Sequence, residues 1–353
     1  MTVIATNKPV LVTGASGYVA GWLIRALLEK GLTVHATVRD PARASSVRHL
    51  EALANSLPGE LKLFKADLLQ PGSFDIPMEG CELVFHTASP FVMTGFKDAN
   101  EALLRPALEG TRNVLDAVNR CDTVKRVVLT SSVAATYGDA IDSRDVPRGT
   151  FNESHWNTSS SEHHQPYLYS KTIAEQEAWK MQRAQNRWEL VCINPALVIG
   201  PSLTPASQSA SITTLQQFGD GTLRFGAPEM WNGLVDVRDV ADAHVRAGFT
   251  PEAHGRYIIC AESLSLLDMG KALRQHFGSR YPFPRRSLPK LMFWLVAPVV
   301  GFTRDFVARN IGYPLAFDNQ RSRRELGMSY RDVRKGLQEH FQQLIDDGLV
   351  KKR

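Results

Sequence analysis

The chain has 353 residues, a net charge of +5, and 43% hydrophobic against 22% charged residues. That balance excludes a disordered, collagen-like or disulfide-scaffold protein, and the length suits one large α/β unit or two smaller domains. Cys81, Cys121, Cys192 and Cys260 lie far apart with no C-x-x-C pair, which argues against a disulfide framework or cysteine zinc site and predicts a reducing compartment.

The apolar run at 9–12 comes too soon after Met1 for a signal peptide, and a cytoplasmic protein is expected. Short β-branched runs at Val10–Thr13, Thr33–Val38, 61–65, 82–87 and Arg126–Thr130 predict strands. Between them, 19–30, 46–57 and 99–120 carry apolar residues at three- and four-residue spacing, so they predict helices. Such alternation predicts a Rossmann-type α/β fold, a doubly wound parallel sheet with ligands at the strands' carboxyl ends. The polar stretch 138–165 reads as a loop, followed by a helix over 167–185 and a strand at 190–193. Further strands are predicted at 235–237 and 257–260, and an amphipathic helix over 331–349. The expected organisation is a cofactor domain of 1–195 plus about 235–263, with 196–234 and 264–353 forming a smaller substrate-binding region.

The run 288–302 is apolar but holds Pro289, Lys290 and Pro298, and a membrane span needs about 20 apolar residues. It reads as a buried segment, with an interfacial membrane contact as the alternative. Residues 280–353 hold 15 Lys/Arg against 7 Asp/Glu. No nucleic-acid motif accompanies them, so they read as a solvated face, with attraction of an anionic substrate as the functional alternative. His155, His163 and His164 lack the further ligands a metal needs and read as loop residues; no metal is expected. Asp236, Arg238 and Asp239 read as a turn with an ion pair.

The first strand runs into Gly14-Ala15-Ser16-Gly17-Tyr18-Val19-Ala20-Gly21, a turn that opens a helix. Glycines let backbone N–H groups approach a pyrophosphate at the helix N-terminus, and small Ala20 permits close helix–strand packing. The second strand ends Val38-Arg39-Asp40. An arginine here accommodates the 2′-phosphate of NADP, whereas NAD binding calls for an acid, so NADP is expected; an Arg39–Asp40 structural pair is the competing reading. Asp67, after the third strand, could accept from an adenine amino group or cap a turn. Thr87-Ala88-Ser89 closes the fourth strand with small residues.

Thr130-Ser131-Ser132 ends the fifth strand, and Tyr167 and Lys171 project from one face of the next long helix. A free tyrosine, with a pKa of about 10, is a poor acid–base catalyst; an adjacent ammonium would bring it down, while a serine holds the substrate oxygen.

These pieces resemble the extended short-chain dehydrogenase/reductase family over nearly the whole chain. Within it they are similar to the dihydroflavonol reductase, cinnamoyl-CoA reductase and aldehyde reductase branch. Besides the motifs above, the resemblance rests on Ala66-Asp67-Leu68, Ala174-Glu175, Asn194-Pro195, Gly200-Pro201 and Val235-Asp236-Val237-Arg238-Asp239-Val240-Ala241. It implies a catalytic Ser132, Tyr167 and Lys171, with Ser132 preferred to Ser131 as the last of its run. It implies cofactor contacts from Gly14, Ser16, Gly17, Tyr18, Val19, Arg39, Asp67, Leu68, Thr87, Ala88, Ser89, Thr130, Tyr167, Lys171, Pro195 and Val198. Asn113 matches a structural asparagine, and a homodimer through helices 99–120 and 167–185 is implied.

Three features depart from the plant enzymes. Tyr137 stands where dihydroflavonol reductases have a substrate-reading asparagine, Ser46 replaces a basic residue of the phosphate loop, and 284–315 looks like an insertion. Ser89, Phe91, Ser132 and Tyr137 are expected to meet the substrate, and a pocket of Phe91, Tyr137, the loop beyond Pro201 and segment 284–302 is expected to be mainly apolar. The reading is an NADPH-dependent reductase of hydrophobic or aromatic carbonyl compounds. The alternatives are a 3β-hydroxysteroid-type dehydrogenase, a sugar-nucleotide epimerase or a non-catalytic NADP sensor.

Overall fold

Valine- and leucine-rich runs without polar alternation form strands buried on both faces, as a parallel sheet covered by helices requires. The computed structural model describes residues 1–89, 98–204 and 209–351. In chain order, β1 (Val10–Thr13), α1 (Tyr18–Glu29), β2 (Thr33–Val38), α2 (Ala44–Ser56) and β3 (Glu60–Lys65) open the fold. The short α3 (Asp75–Met78) leads to β4 (Leu83–His86), α4 (Arg105–Arg120) and β5 (Arg126–Thr130). Then come β6 (Thr150–Phe151), α5 (Pro166–Arg183), β7 (Glu189–Pro195), β8 (Leu197–Ile199) and α6 (Ala210–Asp220). The chain continues through β9 (Ala227–Pro228), β10 (Trp231–Asp236), α7 (Val237–Phe249), β11 (Gly255–Ile259), β12 (Glu262–Ser265) and α8 (Leu266–Phe277). Last are β13 (Ser287–Leu288), α9 (Lys290–Val296), α10 (Arg304–Asn310), β14 (Ala316–Phe317), α11 (Gln320–Glu325) and α12 (Val333–Asp346).

Seven parallel strands form the main sheet in the order β11-β7-β5-β4-β1-β2-β3. The order reverses between β1 and β4, where a doubly wound sheet opens a crevice at its carboxyl edge. At the β3 edge, Glu60, Lys62 and Lys65 face solvent, which protects the open strand from pairing. Alternation along β1 sends Val10 and Val12 into one helix-covered core and Leu11 into the other. The first core packs Leu23, Leu27, Val240 and Ala243 against the sheet; the second packs Val114, Leu115, Ala178 and Trp188. A separate core gathers Leu215, Phe218, Phe277, Phe283, Leu337 and Phe341 beneath the small β12-β10-β8 sheet.

Several boundaries differ from the sequence reading. The helix expected over 99–120 begins with a π-turn at Asn100–Leu104, and Pro106, which lacks an N–H, stands where the α ladder takes over. The stretch 138–165 is not simply loop: it holds 3₁₀ turns at Ala140–Asp145 and Pro147–Gly149 and strand β6, which pairs with distant β14. The strand expected at 235–237 is β10 and stops at Asp236, whose carboxylate caps the Arg238 N–H and starts α7. Among the described residues no helix is long and apolar enough to cross a membrane.

Candidate active site

The glycine turn is built by sterics. Gly14 has φ +67°, and a side chain there would bring its Cβ within 2.8 Å of the Ala88 Cα. The loop is clamped by Ala15 N–H donating to the Thr37 carbonyl (2.9 Å) and Ala88 N–H donating to Thr13 Oγ1 (3.1 Å). Gly17 and exposed Ser16 then lead into α1, leaving orphan amides at its N-terminus between β1 and β4. Val19 is half-buried in the first turn of α1. The Tyr18 hydroxyl donates to the Gly200 carbonyl, and Trp22 Nε1 donates to the Pro201 carbonyl (2.7 Å), so both side chains tie this loop to the one after β8.

Arg39 is exposed just beyond β2. Asp40 accepts from the Ala42 N–H (3.0 Å), and among the described residues no Arg39–Asp40 ion pair forms. Asp67 accepts from the Leu69 N–H (2.9 Å), a turn role for one of its oxygens. The Leu68 carbonyl accepts from Asn113 Nδ2 (2.7 Å), the structural part expected of Asn113. Thr130 Oγ1 meets His244 Nε2 at 2.7 Å, while the other ring nitrogen of His244 lies 2.7 Å from the Val240 carbonyl. The Thr130 hydroxyl is therefore engaged by His244. Pro195 ends β7, and Val198 pairs with Val235 between β8 and β10.

On the other side of the crevice, α5 presents Tyr167 and Lys171 one turn apart. Lys171 Nζ donates to Ser89 Oγ (2.9 Å) and lies 5.7 Å from the Tyr167 ring centroid. Burial lowers the Lys171 pKa to about 8 and pushes the Tyr167 hydroxyl up to about 12. The expected lowering of the Tyr167 pKa by its neighbour is not what this geometry gives: the ammonium is directed at Ser89, and desolvation dominates both groups. Ser132, extended at the end of β5, accepts from the Ala134 N–H (3.1 Å) and stands partly open. Ser131 is buried and donates to Glu175 (2.5 Å), whereas the Ser132 hydroxyl donates to the Pro195 carbonyl (3.5 Å). Tyr137 packs its ring against Phe151 and Phe317 at 5.4 and 5.6 Å. Thr87 and Ala88 are half-buried and Ser89 exposed at the end of β4, whereas Phe91 lies outside the described residues.

The NAD dependent epimerase/dehydratase family model matches residues 10–260, from β1 to the end of the main sheet. The chain belongs to that family. As an extended short-chain dehydrogenase/reductase it is similar to a cinnamoyl-CoA reductase of Medicago truncatula, 41% identical over 273 residues, 76% of this chain and 81% of the relative. Cinnamoyl-CoA reductase 1 of Petunia hybrida is 36% identical over 97% of this chain and 94% of its own length. Among solved structures, yeast methylglyoxal/isovaleraldehyde reductase Gre2, complexed with NADPH, superposes with a TM-score of 0.78 at 25% identity, covering 96% of this chain and 98% of that one. The chain is an oxidoreductase.

In this family member, sequence reasoning missed what holds the site in place. Glu175, fully buried on α5, accepts from Arg256 Nε (2.6 Å), Asn194 Nδ2 (2.8 Å) and Ser131. Asn194 also donates to the Ser132 carbonyl (3.0 Å), so Glu175 fixes the serine's backbone through one intermediary. Arg256 stacks on Trp156, 4.0 Å from the ring centroid, and donates to the carbonyls of Glu153 and His155. Glu175 and Arg256 are 81 residues apart, and no local pattern links them. His164 pairs with Asp139 (2.7 Å) and His155 accepts from the Asn152 N–H (3.0 Å), both loop roles. Arg238 bridges Asp236 and Glu339 at 2.7 Å each, and Asp239 pairs with Arg331, so the expected ion pair is present and extends to α12.

Proposed function

We propose that this oxidoreductase uses NADPH to reduce the carbonyl group of an apolar aldehyde or ketone. The observation that carries the reading is that Lys171 meets both Ser89 and the Tyr167 ring at the carboxyl edge of the sheet, with Ser132 at the end of β5 and a glycine turn at the end of β1. The residues fit the cofactor. Gly14 lets the turn pack directly on Ala88, α1 offers amides to a pyrophosphate, and exposed Arg39, unpaired among the described residues, presents its guanidinium for a 2′-phosphate.

The cofactor, when bound, supplies a hydride to the carbonyl carbon. Tyr167 donates its phenolic proton to the carbonyl oxygen, completing the alcohol, and solvent restores the proton. With its hydroxyl up near 12, Tyr167 is held protonated at neutral pH, as a proton donor in the reductive direction must be. Ser132 holds the carbonyl oxygen, and the Lys171 ammonium stabilises the phenolate that proton loss leaves. Tyr137, with Phe151 and Phe317 packed against its ring, would supply an apolar wall to the substrate. The main sheet carries the cofactor, and the separate core beneath the small sheet, with the segments 196–234 and 264–353, carries the substrate side.

Tyr167→Phe is expected to lower turnover by about two orders of magnitude or more while leaving NADPH affinity nearly unchanged. Stopped assays over a panel from methylglyoxal through benzaldehydes to bulky aryl ketones measure both points. Unchanged turnover by this variant would remove Tyr167 from the reaction, and preference for the small polar substrates would overturn the apolar pocket.

A further inference from the structure

The segment 279–304 contains five Lys/Arg and no Asp or Glu. Its inner side is anchored: Phe293 and Ala297 pack with Val307 and Ile311, and Met230 packs against them. Its outer side is apolar and open. Leu291 and Leu295, one turn apart on α9, are 70% and 58% exposed, and Val299 in the following turn is 88% exposed. This is the reverse of the buried segment that its hydropathy suggests, and such a cluster is more than scattered surface apolar residues.

Cations flank it along the chain, Arg285 and Arg286 before it and Arg304 after it. Strand β13 joins α9 to β9, and across that ladder Arg286 Nε donates to the Phe225 carbonyl (3.2 Å). Phe225 is 68% exposed and carries the Arg224 guanidinium 4.5 Å from its ring centroid. Arg224, Arg274, Arg280, Arg285 and Arg286 line a surface concavity of about 510 Å³. Among the described residues no carboxylate pairs with Arg224, Arg280, Arg285 or Arg286. Arg304 stacks on Trp294 of α9, 4.3 Å from the ring centroid.

We infer that this face docks on an anionic lipid bilayer, with the Leu291–Leu295–Val299 side entering the headgroup boundary and the arginines meeting lipid phosphates. Partly inserted apolar side chains beside a cation cluster are what an interfacial protein uses, and neither part is sufficient alone. A symmetric dimer through the same face would instead bring two copies of the arginine cluster together, which like-charge repulsion opposes. Long arginine side chains can also extend along apolar surface to reach the headgroups.

Flotation of the full chain with vesicles of phosphatidylcholine alone, and with about 30 mol% phosphatidylserine added, tests the inference. Recovery with the anionic vesicles, little with the neutral ones, and release by high salt are expected. Leu291→Glu/Leu295→Glu/Val299→Glu and, separately, Arg285→Glu/Arg286→Glu should each lower the anionic-vesicle partition coefficient by about tenfold or more, with unchanged melting temperature. Equal recovery on both vesicle types, recovery on neither, or unaltered binding by both variants overturns it. So does a dimer in sedimentation that the apolar variant dissociates.

Discussion

Lys171 is the residue whose state controls the crevice. Burial brings its pKa to about 8, so its ammonium is lost as pH rises through that value, while Tyr167, near 12, stays protonated. Turnover in the reductive direction is therefore expected to fall on the alkaline side with an apparent pKa of about 8. Lys171→Arg keeps a permanent charge, so any activity it retains should show that limb displaced upward by about one unit or more. A pH–rate profile of both proteins measures this, and an identical limb would assign it to another group. Arg39 acts at the other end of the site. Arg39→Ala should raise the KM for NADPH at least about tenfold more than that for NADH, since a guanidinium–phosphate contact is worth about 1.5–3 kcal/mol. Equal effects on the two cofactors would make Arg39 structural.

At the scale of elements, the joint between α5, β5, β7 and β11 rests on a buried charge pair. Glu175 is 1% and Arg256 5% exposed, and the carboxylate also receives Asn194 and Ser131. Removing one partner strands the other charge away from water. Glu175→Leu is thus expected to cost about 3–5 kcal/mol of stability, whereas Glu175→Leu/Arg256→Met should cost markedly less than Glu175→Leu and Arg256→Met summed. Denaturant unfolding of the four proteins closes this cycle, and strictly additive costs would show that the pair is not coupled. Tyr167 and Lys171 share α5 with Glu175, so the same cycle in turnover tests whether the pair holds the catalytic face in register.

For the whole molecule, acid should be the weak side. His86, His244 and His340 are buried, and desolvation lowers each to about 4. In the unfolded chain they titrate near 6.5. As pH falls from about 6.5 towards 4 the unfolded form takes up protons first, so stability present above pH 6.5 is lost across that window. Each histidine contributes on the order of 3 kcal/mol to that loss. His340, whose two ring nitrogens have no hydrogen-bond partner among the described residues, offers the cleanest test: His340→Leu should flatten the fall of the melting temperature with acid. A fall as steep as in the parent protein would refute its part.

What was legible in the sequence was local. Strands β1, β2 and β5 coincide with their apolar runs because a parallel strand buried on both faces leaves a continuous signature. The glycine turn and the Tyr167–Lys171 spacing were equally readable, since φ +67° at Gly14 and a one-turn helix interval are written in a few adjacent residues. The tertiary structure alone decided that Glu175 meets Arg256, that Ser131 is taken up by Glu175 while Ser132 is not, and that β6 pairs with β14. It also decided that burial outweighs charge at Tyr167, and that the apolar run 288–302 buries Phe293 and Ala297 while exposing Leu291, Leu295 and Val299. The physical reason is the same in each case. Backbone periodicity and turn sterics act between near neighbours, whereas desolvation, ion pairing and exposure depend on which distant segments the fold brings into contact.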